Sequence, residues 1–132
     1  MLIDDREIDL FINQKTIEKL PIDANFKTFT SANDAIDYLK TINSFSNLES
    51  KFIPNIIFLD MNMPNMNGFQ FLNAFSTLNN ELLESTRIYM LSSSTSNNEI
   101  STAEEHSACN GFVTKPLTVQ HVERLLKKVL AI

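Results

Sequence analysis

The stretch Ile56-Ile57-Phe58-Leu59-Asp60 decides the fold of this 132-residue chain. Four consecutive apolar residues have the length of a strand, and their lack of alternation is typical of a strand buried on both faces of a parallel sheet. An acidic residue closes the run, at the end where parallel strands bring their following loops together. The stretch therefore predicts an α/β protein with polar residues gathered at one edge of its sheet.

Strand-like and helix-like segments alternate on both sides of this run. Five such pairs, joined by right-handed crossovers, predict a flavodoxin-like three-layer αβα sandwich with a five-stranded parallel sheet of order 2-1-3-4-5 and five helices. Without a visible linker or repeat, residues 1–132 are expected to form a single domain. The other predicted strands cover 2–3, 26–30 (at a sheet edge), 87–91 and 111–114, and the helices cover 6–20, 31–42, a segment after Gly68, 99–106 and 118–130.

Three segments between or before these elements have their own expectations. The polar residues 43–54 and the Ser/Thr/Asn run 92–98 are predicted to be surface loops. The first strand has only Met1-Leu2-Ile3 before its acidic residues, which indicates either a chain that begins upstream or a clipped strand.

Composition excludes several classes of protein. A net charge of -5 argues against a nucleic-acid surface, and no apolar run approaches the roughly 20 residues that span a bilayer. The single cysteine, Cys109, excludes an internal disulfide and suits a reducing compartment, and the start of the chain has no secretory signal. The expected location is the cytoplasm.

The predicted topology brings the polar strand ends together. In an open α/β sheet, ligands bind beyond the carboxyl ends of the strands where the strand order reverses, here between the first and third strands. The first strand ends at Asp4-Asp5, the third at Asp60, and the fourth and fifth end at Ser92 and Lys115. Three carboxylates, a hydroxyl and an ammonium are therefore expected in one crevice.

Such a cluster of carboxylates must take up protons, spread apart or hold a cation. Two carboxylates about 4 Å apart repel each other by roughly 4 kcal/mol at an effective dielectric constant of 20. An oxygen-only set of ligands suits Mg²⁺, and the absence of neighbouring His or Cys argues against zinc. A carboxylate can also attack phosphorus to give an aspartyl phosphate, with the metal and Lys115 stabilising the transferred charge.

At these residues the chain resembles the receiver domains of two-component response regulators, in particular stand-alone, chemotaxis-type receivers. Each motif is weak alone, but together they span nearly the whole chain in the order and at the separations of that family. The matching segments are Leu2-Ile3-Asp4-Asp5, Ile57 to Pro64 with Gly68 after it, Leu91-Ser92-Ser93 and Gly111 to Pro116.

The resemblance implies a role for each acidic residue. Asp60 matches the phosphoacceptor, which takes its phosphoryl group from a histidine kinase or a histidine phosphotransfer protein. Asp5 matches a direct Mg²⁺ ligand, Asp4 a neighbour that acts through water, and Asp60 a further ligand. Asn62 matches the position whose backbone carbonyl completes the metal shell.

The resemblance also implies a switch. Ser92 matches the hydroxyl that moves to a phosphoryl oxygen, and Lys115 the lysine that pairs with the acceptor and then with the phosphate. Phe112 matches the aromatic switch position, where a phenyl ring acts through packing alone. Pro116 matches a proline that follows a cis peptide bond. Ser94 is a poor candidate for orienting an attacking water, so an aspartyl phosphate of intermediate to long life is expected.

These residues together predict a phosphorylation-operated binding switch rather than an enzyme with a separate substrate. Its only reactions would be its own phosphorylation and dephosphorylation, and its output would be binding through the face formed by the fourth helix, fifth strand and fifth helix. One alternative is a magnesium-dependent phosphatase of the haloacid dehalogenase type, which needs an acid where this chain has Asn62. Another alternative is a flavodoxin-like flavin carrier. Such a protein needs a Ser/Thr/Gly-rich loop after the first strand to bind the flavin phosphate, whereas this chain has Asp4-Asp5-Arg6-Glu7 there, whose acidic residues would repel the phosphate.

Simpler interpretations exist for single residues. Asp4 and Asp5 could cap the following helix, and Phe112 could serve only as a core residue. Cys109 is expected to be a small core residue, and His106 and His121 are expected to be surface residues without a metal role.

Overall fold

A computed structural model describes residues 1–42, 52–93 and 97–130. In these ranges the parallel strands pair in the order β2-β1-β3-β4-β5, which confirms the predicted flavodoxin-like topology. The strands are β1 (Leu2–Ile3), β2 (Thr28–Phe29), β3 (Ile56–Asp60), β4 (Arg87–Ser92) and β5 (Gly111–Thr114). The helices are α1 (Glu7–Glu18), α2 (Ala32–Lys40), α3 (Gly68–Leu78), α4 (Asn97–Glu105) and α5 (Val119–Leu130), with a short 3-10 helix at Glu81–Leu83 that the sequence pattern did not reveal.

The sheet has an apolar core on each face, and β3 contributes to both. Ile57 and Leu59 belong to the core that includes residues of α2 and α3. Ile56 and Phe58 belong to the opposite core, which includes residues of α1 and α5. Because successive side chains of a strand point to opposite faces, a strand with a core on each side has no polar position. This explains the continuous apolar run.

The strand register places the acidic residues side by side. Ile3 of β1 pairs with Leu59 of β3 and, on its other side, with Phe29 of β2. Asp4 and Asp60 follow these partners directly, so they leave the sheet next to each other. The position of β2 at the edge of the sheet agrees with its weak strand pattern.

Most element boundaries differ from the predicted ones by one or two residues. The connection predicted over 92–98 is shorter than expected, because Ser92 still belongs to β4 and Asn97 already begins α4. Within that connection, 94–96 lie outside the described residues, as do 43–51 of the other predicted loop. The hydroxyl of Tyr38 joins the end of that loop to α2, since it donates to the Phe52 carbonyl (2.6 Å) and accepts from the Phe52 N–H (3.0 Å).

Helix α1 carries apolar residues on more than one face, as its sequence pattern predicted. Leu10 and Ile17 are buried, whereas Ile8, Phe11 and Ile12 are 56%, 59% and 43% exposed. In the described ranges, no helix has the combined length and apolarity that crossing a bilayer requires.

Candidate functional site

The ends of β1 and β3 form an acidic pocket. Asp4 follows β1 and Asp60 is the last residue of β3, and both are buried. Asp5 lies beside them and is exposed. Each of the three offers a carboxylate oxygen within 4.8 Å of the others, so the three predicted acids do converge.

Lys115 enters this pocket from the end of β5. Its backbone N–H donates to the Ser92 carbonyl (2.9 Å), which continues the pairing of β5 with β4. Its side-chain ammonium lies 2.7 Å from Oδ2 of Asp4 and 3.3 Å from Oδ1 of Asp60. The peptide bond between Lys115 and Pro116 is cis, as the family resemblance implied.

The surroundings of Asp60 make its ionised form less favourable than it is in water. Burial, followed by the negative charge of Asp4, raises the pKa of Asp60 to about 6. Lys115 and the backbone N–H of Asn62 oppose this rise. The carboxylate is therefore mainly ionised at neutral pH, but at a cost in free energy that a bound cation relieves.

Lys115 remains charged in spite of its burial. Desolvation acts to lower the pKa of its ammonium, but hydrogen bonding to Asp4 and the charges of Asp60 and Asp4 outweigh it, so the pKa is raised. A half-buried lysine surrounded by carboxylates is thus a stable positive charge inside the pocket.

The side chains of the pocket fit a magnesium ion. The converging donors are carboxylate oxygens from three aspartates, without a His or Cys among them. Hard oxygen donors of this kind are those that Mg²⁺ prefers, and it usually takes one or two carboxylates and fills its other positions with phosphate oxygens and water. Burial and, after it, the negative charge of Asp4 raise the pKa of Asp60, so a cation in the pocket would favour its ionised form.

The three remaining predicted residues differ in their surroundings. Ser92 is buried at the end of β4 and directly follows Leu91, the strand partner of Asp60. Phe112 is half-buried and packs against the core on the α2 and α3 side. The side chain of Asn62 is exposed. The roles that the resemblance implied for these three residues stay predictions.

Sequence reasoning missed Asp9. Its Oδ2 lies 3.3 Å from the ammonium of Lys115 and 3.8 Å from Nε of Arg6. The available signal was its position in the first turn of α1, four residues before the buried Asn13. Residues four apart lie on the same face of a helix.

His106 and Cys109, which the sequence suggested were a surface residue and a small core residue, both form hydrogen-bond contacts. Nε2 of His106 lies 2.7 Å from Oδ1 of Asn73, and its Nδ1 accepts from the Ala108 N–H (3.1 Å), so His106 links the end of α4 to α3. Cys109 is half-buried, and its thiol donates to the Gly111 carbonyl (3.2 Å).

Comparison with known proteins agrees with this geometry. The family model described as "response regulator receiver domain" matches residues 1–129. A curated relative, the hybrid signal transduction histidine kinase C of Dictyostelium discoideum, is 28% identical over 131 residues, which cover 97% of this chain but only 10% of that protein.

Two similar solved structures cover nearly the whole chain. The response regulator receiver protein of Dyadobacter fermentans is 30% identical with a TM-score of 0.82, over 98% of this chain and 94% of that one. The two component response regulator of Cytophaga hutchinsonii is 30% identical with a TM-score of 0.85, over 99% and 95% of the two chains. These matches give no support to a phosphatase or a flavin carrier. The chain belongs to the family of response regulator receiver domains of two-component systems.

Proposed function

We propose that this protein accepts a phosphoryl group on Asp60 and thereby switches its binding to another protein. The donor is the phosphohistidine of a histidine kinase or of a phosphotransfer protein, and residues 1–132 act as one receiver domain. The observation that supports this most directly is the ammonium of Lys115 between two buried carboxylates, 2.7 Å from Asp4 and 3.3 Å from Asp60.

The pocket residues divide the chemistry between them. A carboxylate oxygen of Asp60 forms a bond to phosphorus while the bond from phosphorus to the imidazole nitrogen of the donor breaks, and the imidazole takes up a proton. Lys115 provides a fixed positive charge for the phosphoryl oxygens. Asp4, Asp5, Asp60 and the backbone carbonyl of Asn62 would hold Mg²⁺, which supplies the remaining neutralisation of charge when bound.

The change that follows phosphorylation starts from the charge added to Asp60. A phosphoryl group brings about -1.5 to -2 charges at neutral pH and strong acceptor oxygens. Ser92 ends β4 directly after Leu91, the strand partner of Asp60, and its movement towards the phosphoryl group draws the end of β4 inward. Phe112 then repacks, and the face formed by α4, β5 and α5 changes for an output protein.

Intact mass spectrometry after incubation with acetyl phosphate and Mg²⁺ tests the proposal. The native protein should gain one phosphoryl group, and Asp60→Asn should gain none. Asp37→Asn, which removes an exposed carboxylate from α2, is the matched control and should behave as the native protein. Equal labelling of the native protein and Asp60→Asn would refute the assignment of Asp60, as would the absence of label in both.

The lifetime of the phosphorylated protein is a separate test. After removal of acetyl phosphate, the phosphorylated mass should persist well beyond seconds in Mg²⁺. Hydrolysis of the aspartyl phosphate needs a water molecule that is held in line with the phosphorus. Asn62 is expected to help orient this water, whereas Ser94 is a poor candidate for a second orienting group, so hydrolysis should be slow. Loss of the phosphoryl group within seconds would contradict this expectation.

A further inference from the structure

Three carboxylates lie within 3.3 Å of the ammonium of Lys115. They belong to Asp4 (2.7 Å), Asp60 (3.3 Å) and Asp9 (3.3 Å). Asp4 and Asp60 come from strand ends and belong to the acidic group that fits a cation. Asp9 comes from α1 and lies outside that group, so its contact with Lys115 needs an explanation of its own.

We propose that Asp9 is a positioning residue that holds the ammonium of Lys115 at the phosphoryl site. This inference rests on the proposed function and assigns Asp9 a part in it. Asp9 acts through Lys115 and touches neither the phosphoryl group nor the metal.

The other two partners of Lys115 change their chemistry during the reaction. Asp4 is one of the acids that would hold Mg²⁺, and a carboxylate oxygen directed at the metal is less available to the ammonium. Asp60 turns from a carboxylate into an acyl phosphate, so its oxygen is exchanged for a phosphoryl oxygen. Asp9 is the partner that stays a free carboxylate throughout. Because Asp9 does not change, one N–H of Lys115 keeps its acceptor. Another N–H exchanges its acceptor, from the Asp60 carboxylate to a phosphoryl oxygen.

The position of Asp9 suits this role. It lies in the first turn of α1, where its own N–H donates to the Arg6 carbonyl (3.1 Å) and Arg6 approaches the carboxylate from the solvent side. Its side chain is 23% exposed and that of Lys115 17%, so water screens their contact only in part. A long lysine side chain has several rotatable bonds, and a carboxylate on a packed helix limits the positions of its charged end.

A simpler explanation is that Asp9 adds negative charge to the start of α1, where the helix dipole favours it. Glu7 provides the control for this, because it is the other acid in the first turn of α1. A general effect of charge predicts similar results for Glu7→Gln and Asp9→Asn, whereas positioning of Lys115 predicts a result for Asp9→Asn alone.

The first test measures the contact itself in the metal-free protein. Acetic anhydride in trace amounts labels lysines at rates that depend on their exposure and protonation, and peptide mass spectrometry reports each lysine separately. Asp9→Asn should raise the labelling of Lys115 several-fold and leave that of Lys127, on the exposed face of α5, unchanged. Glu7→Gln should change neither.

The second test measures the consequence for the reaction. With acetyl phosphate and Mg²⁺, Asp9→Asn should be phosphorylated about tenfold more slowly than the native protein, in line with the cost of a misplaced catalytic group. Asp9→Glu, which keeps the charge, should recover most of the rate, and Glu7→Gln should retain all of it. Calorimetric titration with Mg²⁺ should show similar affinities for native protein and Asp9→Asn.

The outcomes separate this inference from the proposed function. If the native protein is not phosphorylated, both fail. If it is phosphorylated and Asp9→Asn matches it in rate or in the labelling of Lys115, the role of Asp9 alone is overturned. A large loss of Mg²⁺ affinity in Asp9→Asn would show that Asp9 takes part in metal binding, and this result would also overturn its role as a positioning residue. Circular dichroism confirms folding, and Asp9→Ser replaces Asp9→Asn if the latter does not fold.

Discussion

Asp60 destabilises the metal-free protein at neutral pH, because its buried carboxylate ionises beside Asp4. The pKa of Asp60 is raised from 3.8 to about 6, so the folded state binds this proton more tightly than the unfolded state does. Its contribution to stability is therefore greatest below pH 3.8 and is lost as the pH rises through about 6. One pKa unit corresponds to about 1.4 kcal/mol.

Replacing Asp60 with Asn should remove this cost. In a buffer with a chelator at neutral pH, Asp60→Asn should raise the free energy of unfolding by about 1–3 kcal/mol, as measured by urea denaturation. The difference should shrink towards zero as the pH falls below 4, where the native carboxyl is protonated. Asp37→Asn, which removes an exposed carboxylate, is the control and should not gain this stability. A less stable Asp60→Asn at neutral pH would contradict the burial argument.

Gly68 is required by the close approach of its backbone to the end of β3. A Cβ at this position would lie 2.6 Å from Cε of Met90 and 3.0 Å from Cα of Met61. The methionine side chain can move, but the backbone next to Asp60 cannot do so cheaply. Gly68→Ala should therefore lower the free energy of unfolding by about 1–2 kcal/mol, even after its gain in helix propensity. Thr77→Ala, at an exposed position of the same helix, should stay within about 0.5 kcal/mol of the native protein, and an equal loss in both variants would point to the helix rather than to the contact.

The start of α3 depends on a reciprocal pair of side-chain hydrogen bonds. The Asn67 side chain accepts from the Gln70 N–H (2.9 Å), and the Gln70 side chain accepts from the Asn67 N–H (2.9 Å). Asn67→Ala loses the first bond and should cost about 1 kcal/mol of stability in urea denaturation. Asn67→Asp keeps an acceptor and adds a charge that the helix start favours, so it should lose nothing. An Asn67→Ala protein as stable as the native one would show that packing alone fixes the start of α3.

The elements differ in how well the sequence predicted them. β3 and β4 were predicted within one residue, because burial on both faces of the sheet requires a continuous apolar run. The start of α4 could not be read from the Ser/Thr/Asn run, since these residues suit caps, turns and loops alike. The sequence also predicted only part of the site. Strand ends predicted the meeting of Asp4, Asp60 and Lys115, whereas the approach of Asp9 depends on how α1 rotates against the sheet.

On the scale of the whole molecule, the fold concentrates its acidic character at one edge of the sheet. The chain has a net charge of -5. Asp4, Asp5 and Asp60 converge in the pocket, and Asp4, Asp9 and Asp60 contact the ammonium of Lys115. Packing of the two cores keeps these carboxylates close together, and their mutual repulsion lowers the stability of the folded protein. A cation that binds only the folded protein reduces this repulsion and raises the stability.

Magnesium should therefore stabilise the whole domain by way of its pocket. At a Mg²⁺ concentration ten times the dissociation constant, the gain should be about 1.4 kcal/mol, seen as a rise of a few degrees in Tm. Asp4→Asn should lose most of this rise, because it removes one of the converging carboxylates, whereas Asp37→Asn should keep it. Sodium chloride at the same ionic strength controls for general screening of charge. An equal rise in Asp4→Asn, or an equal effect of sodium chloride, would show that the ion acts on the net charge of the surface and that the convergence of the three aspartates does not form a metal site.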